Sequence, residues 1–169
     1  KDVENSCHEG NAPQAAVGDY NGDGESDVAV LMWQASAPTS GYFNVWYSPF
    51  DLGYTSPDAT QALNVDFPLP GDYDGDGTTD FAGGKIDGGY LYWRIKKSSN
   101  GNVIYEQWGL SGDKPVPGDY DGDGKTDLAV FRPSNTYWYI LKSSDSNVIS
   151  QQFGNATDIP LPQPNAFVY

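Results

Sequence analysis

Apolar residues along this chain come in short runs that Gly, Asn, Asp, Ser and Pro close off. Val, Ile, Tyr, Trp and Phe dominate the runs, a composition that suits pleated, half-buried strands. Nowhere does an apolar spacing near 3.6 persist over three turns, so almost no helix is expected. The last third of the chain resolves into four strands: Lys114–Tyr120, Leu128–Arg132, Thr136–Lys142 and Asn147–Phe153. Leu128-Ala129-Val130-Phe131 is apolar without alternation, which predicts a strand buried on both faces.

The four-strand pattern repeats. Val17-Gly18-Asp19-Tyr20-Asn21-Gly22-Asp23-Gly24-Glu25-Ser26-Asp27 aligns with Pro70-Gly71-Asp72-Tyr73-Asp74-Gly75-Asp76-Gly77-Thr78-Thr79-Asp80. Both align with Pro117-Gly118-Asp119-Tyr120-Asp121-Gly122-Asp123-Gly124-Lys125-Thr126-Asp127, at offsets of 53 and 47 residues. The likeness extends past these segments. Tyr92-Trp93 through Ser98-Ser99 matches Tyr137-Trp138 through Ser143-Ser144, and Gln107-Trp108-Gly109 matches Gln152-Phe153-Gly154, both at an offset of 45. The expected organisation is an N-terminal segment 1–12, repeats at 13–66, 67–113 and 114–158, and a C-terminal strand at 159–169.

Four-stranded repeats of this size predict an all-β fold of three β-propeller-like blades plus a terminal strand. Propellers usually close with four to eight blades, and this sequence supplies three. Asp158-Ile159-Pro160-Leu161-Pro162 repeats Asp113-Lys114-Pro115-Val116-Pro117, but Gln163 then stands where Gly118 would be, and Pro164 replaces the first loop acid. An exposed strand edge tends to find a partner. Two expectations follow: the chain is part of a longer propeller, or strands are shared between copies in a ring or a fibre.

The charge balance narrows the classes. Among 169 residues there are 23 acids and 9 bases, a formal net charge of −14. Such a chain has no electrostatic footprint for nucleic acid. An aromatic content of 14% argues against a disordered acidic tail. No run of about 18 apolar residues predicts a membrane span. No signal-peptide pattern opens the chain at Lys1, as expected of a mature or cytosolic chain. The single cysteine, Cys7, excludes an internal disulfide and leaves a bridge between chains open.

The acids are not scattered. The pattern D-x-[DN]-x-D-G-x-x-D occurs three times, and 11 of the 23 acids lie at its ligand positions. Carboxylates at every second residue, with glycine at the sixth position, let a tight loop wrap oxygens around one hard cation. Calcium takes six to eight oxygens at flexible geometry and suits such a loop. The candidate side-chain ligands are Asp19, Asn21, Asp23 and Asp27; Asp72, Asp74, Asp76 and Asp80; and Asp119, Asp121, Asp123 and Asp127. Backbone carbonyls of Glu25, Thr78 and Lys125 are the candidates at position seven. An EF-hand would place Glu at position twelve, where Val30, Gly83 and Val130 stand here, and no helices flank the loops. Magnesium wants stricter octahedral geometry, and zinc wants Cys or His. Asp-Gly turns between strands give similar letters once; three copies in register favour ligand loops. Three calcium ions would carry six positive charges and bring −14 to −8. They are expected to pin the turn between the first and second strands of each blade.

These acidic blocks, with Asp127-Leu128-Ala129-Val130-Phe131-Arg132-Pro133 and Gln152-Phe153-Gly154, resemble FG-GAP/VCBS repeats, calcium-binding propeller blades also found in integrin α-chain heads. The likeness runs from about Ala12 to Pro162 and is best in the third repeat. The first repeat departs most, with Asn21 in its loop and an insertion-like stretch from Ala35 to Gly41. In the second, Gly83-Gly84 replaces Val130-Phe131 of the inner strand. The resemblance implies an extracellular or cell-surface protein used in adhesion, ligand binding or scaffolding, and it implies no single activity.

Catalysis has little to draw on. His8, the only histidine, sits between Cys7 and Glu9 near the chain start, where a mobile terminus is expected. A nucleophile also needs an orienting base, and adjacent residues rarely provide one. The chain is therefore expected not to be an enzyme. Trp33, Trp46, Trp93, Trp108 and Trp138 could offer flat faces to sugar rings, which makes a carbohydrate-binding module the alternative function. Trp93 and Trp138 occupy matching repeat positions, as do Trp108 and Phe153, which fits blade core better than a ligand platform. Asn155-Ala156-Thr157 is a glycosylation sequon. Ser98-Ser99 and Ser143-Ser144 are expected to serve turns, and Lys96, Lys97 and Lys142 to be solvated strand-edge charges. The expected partners are further copies or further blades, with glycans as the alternative.

Overall fold

The computed structural model describes residues 13–34, 37–46 and 57–161. The described residues contain no helix and form three four-stranded antiparallel sheets, each a simple meander. The first comprises β1 (Gln14–Gly18), β2 (Asp27–Gln34), β3 (Ala37–Trp46) and β4 (Ala59–Ala62). The second comprises β5 (Phe67–Pro68), β6 (Phe81–Asp87), β7 (Tyr90–Lys96) and β8 (Val103–Leu110). The third comprises β9 (Lys114–Pro115), β10 (Leu128–Arg132), β11 (Tyr137–Leu141) and β12 (Val148–Gln152). Each sheet thus runs in sequence order from its first strand, across an acidic loop, to three further strands.

The strand chemistry follows the pattern of burial. In β7, Leu91, Trp93 and Ile95 point inward while Tyr92, Arg94 and Lys96 alternate with them. In β10, Leu128, Ala129, Val130 and Phe131 are all buried, as the continuous apolar run predicts. One cluster joins Ala16, Tyr20, Ala29, Leu31, Phe43, Leu63 and Val65 of the first unit. Phe81, at the start of β6, packs against it, stacking on Tyr20 with centroids 4.8 Å apart. A second cluster joins Leu69, Tyr73, Ala82, Leu91, Trp93 and Ile95 to Leu128 and Val130 of the third unit. Consecutive sheets therefore share core. A fully buried side chain of this size contributes roughly 2–3 kcal/mol of hydrophobic stabilisation.

The glycine pair of the second unit has a packing reason. A Cβ at Gly83 would lie 2.6 Å from Val65 Cγ2, and one at Gly84 would collide with the Phe67 ring. Val65 and Phe67 thus occupy the space that side chains at these two positions would need. In the first unit, 37–41 belongs to β3 rather than to an inserted loop, and the β2–β3 register shifts between Trp33 and Gln34.

Ion pairs add to the contacts along the row of units. Arg132 of β10 donates through Nε and a second guanidinium nitrogen to Asp113, both at 2.8 Å. Lys85 of β6 makes a single bond to Asp66 at 2.7 Å, again 19 residues apart, and the Ile86 N–H donates to the other Asp66 oxygen. Asp113 and Asp66 both sit immediately before the first strand of a unit, so the pair fastens that strand to the end of the second.

Cys7, His8, Glu9 and Phe167-Val168-Tyr169 lie outside the described residues. Of the predicted C-terminal strand, residues 159–161 are described and lie outside every strand. Asn155 is exposed, in the connection after β12.

Candidate metal centre

The three acidic segments occupy equivalent places, between β1 and β2, between β5 and β6, and between β9 and β10. Their first aspartate organises each loop. Asp119 Oδ1 accepts from the backbone N–H of Gly122 (2.7 Å) and Asp123 (3.2 Å), and its Oδ2 accepts from Gly124 (3.0 Å). Asp72 and Asp19 accept from the corresponding three amides of their own loops. Gly24, Gly77 and Gly124 have φ between 85° and 88°, where a Cβ would be strained. The N–H groups of Glu25, Thr78 and Lys125 each donate at 2.8 Å to the fifth-position aspartate, Asp23, Asp76 or Asp123.

The ninth-position aspartates Asp27, Asp80 and Asp127 are fully buried. A buried carboxylate is costly unless hydrogen-bonded. Asp127 accepts from the N–H of Tyr120 (2.9 Å) and of Ser143 (2.7 Å), and Asp80 from Tyr73 (2.9 Å) and Ser98 (2.7 Å). Burial still pushes the Asp80 carboxyl upward, against the opposing pull of the Ser98 and Tyr73 bonds. The neighbouring phenols of Tyr73 and Tyr120 are pushed up by burial and by the adjacent Asp80 and Asp127 charges.

In loops two and three the carboxylates of positions one, three and nine converge. Oxygens of Asp72, Asp74 and Asp80 lie within 4.8 Å of one another, and so do those of Asp119, Asp121 and Asp127. Three like charges this close repel by roughly 3 kcal/mol per pair at an effective dielectric near 20. In both clusters one oxygen, Asp74 Oδ1 or Asp121 Oδ1, is buried without a hydrogen-bond partner. The Asp121 side chain is only 9% exposed. A converging set of hard oxygens with a buried lone pair left over fits calcium. In loop one, Asn21 instead folds back on Asp23, donating from Nδ2 to its carboxylate (2.9 Å) and accepting its N–H (2.9 Å).

The predicted ligands thus separate. Positions one, three and nine meet in loops two and three, while Asp76 and Asp123 turn toward serines on the next hairpin. Ser98 Oγ lies 3.0 Å and 3.1 Å from the two Asp76 oxygens, and Ser143 Oγ donates to Asp123 at 2.8 Å. Ser99 and Ser144 donate through Oγ to Asp74 and Asp121. These pairs do sit in turns, as expected, but they also reach the loops, a tertiary contact that only their repeated placement could have signalled. Lys142 is likewise no free edge charge: it pairs with Asp145 at 2.9 Å and lies 3.6 Å from Asp121. Among the aromatics, Trp93 is fully buried as a repeated core position should be, whereas Phe153 is 73% exposed.

Successive loops touch. The N–H of Thr79 donates to the Asp19 carbonyl (2.6 Å), and Thr126 to that of Asp72 (2.7 Å). The acidic loops therefore form a row along one side of the three sheets. No curated protein and no solved structure matches the chain. Residues 111–148, which span the third acidic loop, β10 and β11, match the family model of the FG-GAP repeat.

Proposed function

We propose that this chain is a calcium-stabilised, extracellular repeat protein with a structural or adhesive role, its three sheets serving as propeller-like blades. The observation that carries the proposal is Asp121 Oδ1, buried and unpartnered among the converging carboxylates of Asp119 and Asp127. The third site would be held by Asp119, Asp121, Asp123 and Asp127 with the Lys125 carbonyl. The second would use Asp72, Asp74, Asp76 and Asp80 with the Thr78 carbonyl, and the first Asp19, Asn21, Asp23 and Asp27 with the Glu25 carbonyl. Bound calcium would neutralise the repulsion among these carboxylates and tie the first strand of each unit to its second. The residues do the rest: the loop amides hold Asp19, Asp72 and Asp119 in place, and the buried aspartates anchor the loops to the core.

The FG-GAP match supports an adhesion-type role outside the cell, and among the described residues no helix is long and apolar enough to cross a membrane. No catalytic role is proposed. Self-association through the outer strands is supported by the exposed apolar residues Val103, Ile104 and Tyr105 on β8 and Val148 and Ile149 on β12. Light scattering in millimolar calcium tests it: a dimer, ring or polymer is expected, and a monomer at high concentration would overturn this part. Carbohydrate binding is the second reading. It is favoured by the exposed ring of Tyr105, with the Arg94 guanidinium 5.4 Å from its centroid, and saturable binding on a glycan array would select it.

A further inference from the structure

The serine pairs after β7 and β11 stand outside the acidic loops, yet they meet them in the same way in two units. Ser99 Oγ donates to Asp74 Oδ2 at 2.6 Å, and Ser144 Oγ donates to Asp121 Oδ2. In each case the other oxygen of that carboxylate is the buried one with no partner. A hydroxyl bonded to one oxygen fixes the rotation of the carboxylate, and so fixes where its second oxygen points. That oxygen belongs to a residue of the convergent triad. The preceding serines act on the neighbouring acids. Ser98 Oγ has three carboxylate oxygens within 3.1 Å, two from Asp76 and one from Asp80, but only one proton to give.

The first unit supplies the contrast within the same chain. Strand pairing sets Val28 opposite Trp46, Phe81 opposite Lys96 and Leu128 opposite Leu141. Three residues beyond each of these partners the sequence has Pro49, Ser99 and Ser144. The unit with proline at this place is the one with Asn21 instead of aspartate at the third loop position. In the sequence, the serine and the aspartate it would hold are thus replaced together.

Resting on the calcium proposal above, we propose that Ser99 and Ser144 are positioning residues of the second and third cation sites: by holding one oxygen of Asp74 and Asp121 they aim the other at the ion. Each site is then built from two parts of its unit, the loop before the second strand and the turn after the third. The first unit has Pro49 and Asn21 at these two positions, and its site is expected to be the weakest of the three.

Calcium titration calorimetry on the full chain tests this, with the Ser99→Ala/Ser144→Ala double variant beside the wild type. Hydrogen bonds to charged groups contribute about 1.5–3 kcal/mol, so two of the three sites are expected to weaken at least about tenfold. The Ser99→Thr/Ser144→Thr variant keeps both hydroxyls and is expected to stay within about threefold of the wild type. Melting in excess chelator gives the cost of each variant to the empty fold, so affinities are compared at a temperature where all three proteins are folded without the ion. Unchanged affinity in the double alanine variant would overturn the inference while leaving the calcium proposal intact. So would weakened binding that threonine fails to restore. Absence of calcium binding to the wild type would overturn the calcium proposal itself.

Discussion

The backbone N–H of Thr126 donates to the carbonyl of Asp72 at 2.7 Å, so the third acidic loop is fastened to the second. Gly71 makes this approach possible. A Cβ there would lie 2.7 Å from Thr126 Oγ1 and 2.9 Å from its Cγ2. Gly18 and Thr79 repeat the arrangement between loops one and two, at 2.6 Å. Gly71→Ala should therefore destabilise the fold by about 2 kcal/mol through overpacking. Gly112→Ala, where a Cβ meets nothing within 4 Å, should change it by less than about 0.5 kcal/mol. Denaturant midpoints of the two variants check the difference.

Tyr73 and Tyr20 occupy the same repeat position but differ in one bond. The Tyr73 hydroxyl donates to the Leu69 carbonyl at 2.8 Å, whereas the Tyr20 hydroxyl is buried without a partner. Tyr73→Phe should cost about 1 kcal/mol, and Tyr20→Phe should be neutral or stabilising. Thermal melts of the two variants should move in opposite directions, or only the first should move.

The Arg132–Asp113 pair is expected to matter more than Lys85–Asp66. The Asp113 side chain is 1% exposed and that of Asp66 is 36% exposed. Arg132→Met would leave Asp113 as a buried, uncompensated charge and should cost roughly 3 kcal/mol. Lys85→Met should cost no more than about 1 kcal/mol. Chemical denaturation of the single variants checks the ranking, and adding Asp113→Asn to Arg132→Met should recover part of the loss.

Asp145 supplies a pH prediction. The Asn147 N–H and the Lys142 ammonium lower its carboxyl to about 2. A lowered carboxylate favours the fold above its ordinary range, and the contribution fades as pH falls toward 2. A carbon chemical-shift titration of Asp145 should find its midpoint well below the ordinary value near 3.8, and Lys142→Ala should raise it.

Much of this architecture was legible in the residues, and the gaps have physical causes. The strand predicted at Leu128–Arg132 is β10 to the residue, because its apolar run Leu128–Phe131 is buried throughout and the charged Asp127 and Arg132 bracket that run. The strand expected at Lys114–Tyr120 is continuous only over Lys114–Pro115, with a further bond from the Val116 N–H to the Ala129 carbonyl and an isolated bridge between Gly118 and Asp127. Pro117 has no N–H for a ladder, and the amide of Tyr120 turns to the Asp127 carboxylate instead. Spacing located the acidic loops and their candidate ligands, but not the division by which Asp76 and Asp123 face serines. That division depends on where the turn after the third strand lands, and sheet packing decides it. Trp93 and Phe153 show the same limit. Repetition marked both as core, yet nothing covers Phe153 among the described residues, while Trp93 lies in the core shared by the second and third sheets.

Thermal unfolding in millimolar calcium against excess chelator tests the central claim most directly. A ligand that binds the folded loops alone stabilises by about 2.7 kcal/mol per site at a hundredfold excess over its dissociation constant. Calcium should therefore raise the melting temperature by at least about 5 °C, and magnesium at the same concentration should raise it less. Coincident melting curves with calcium and with chelator would contradict the account.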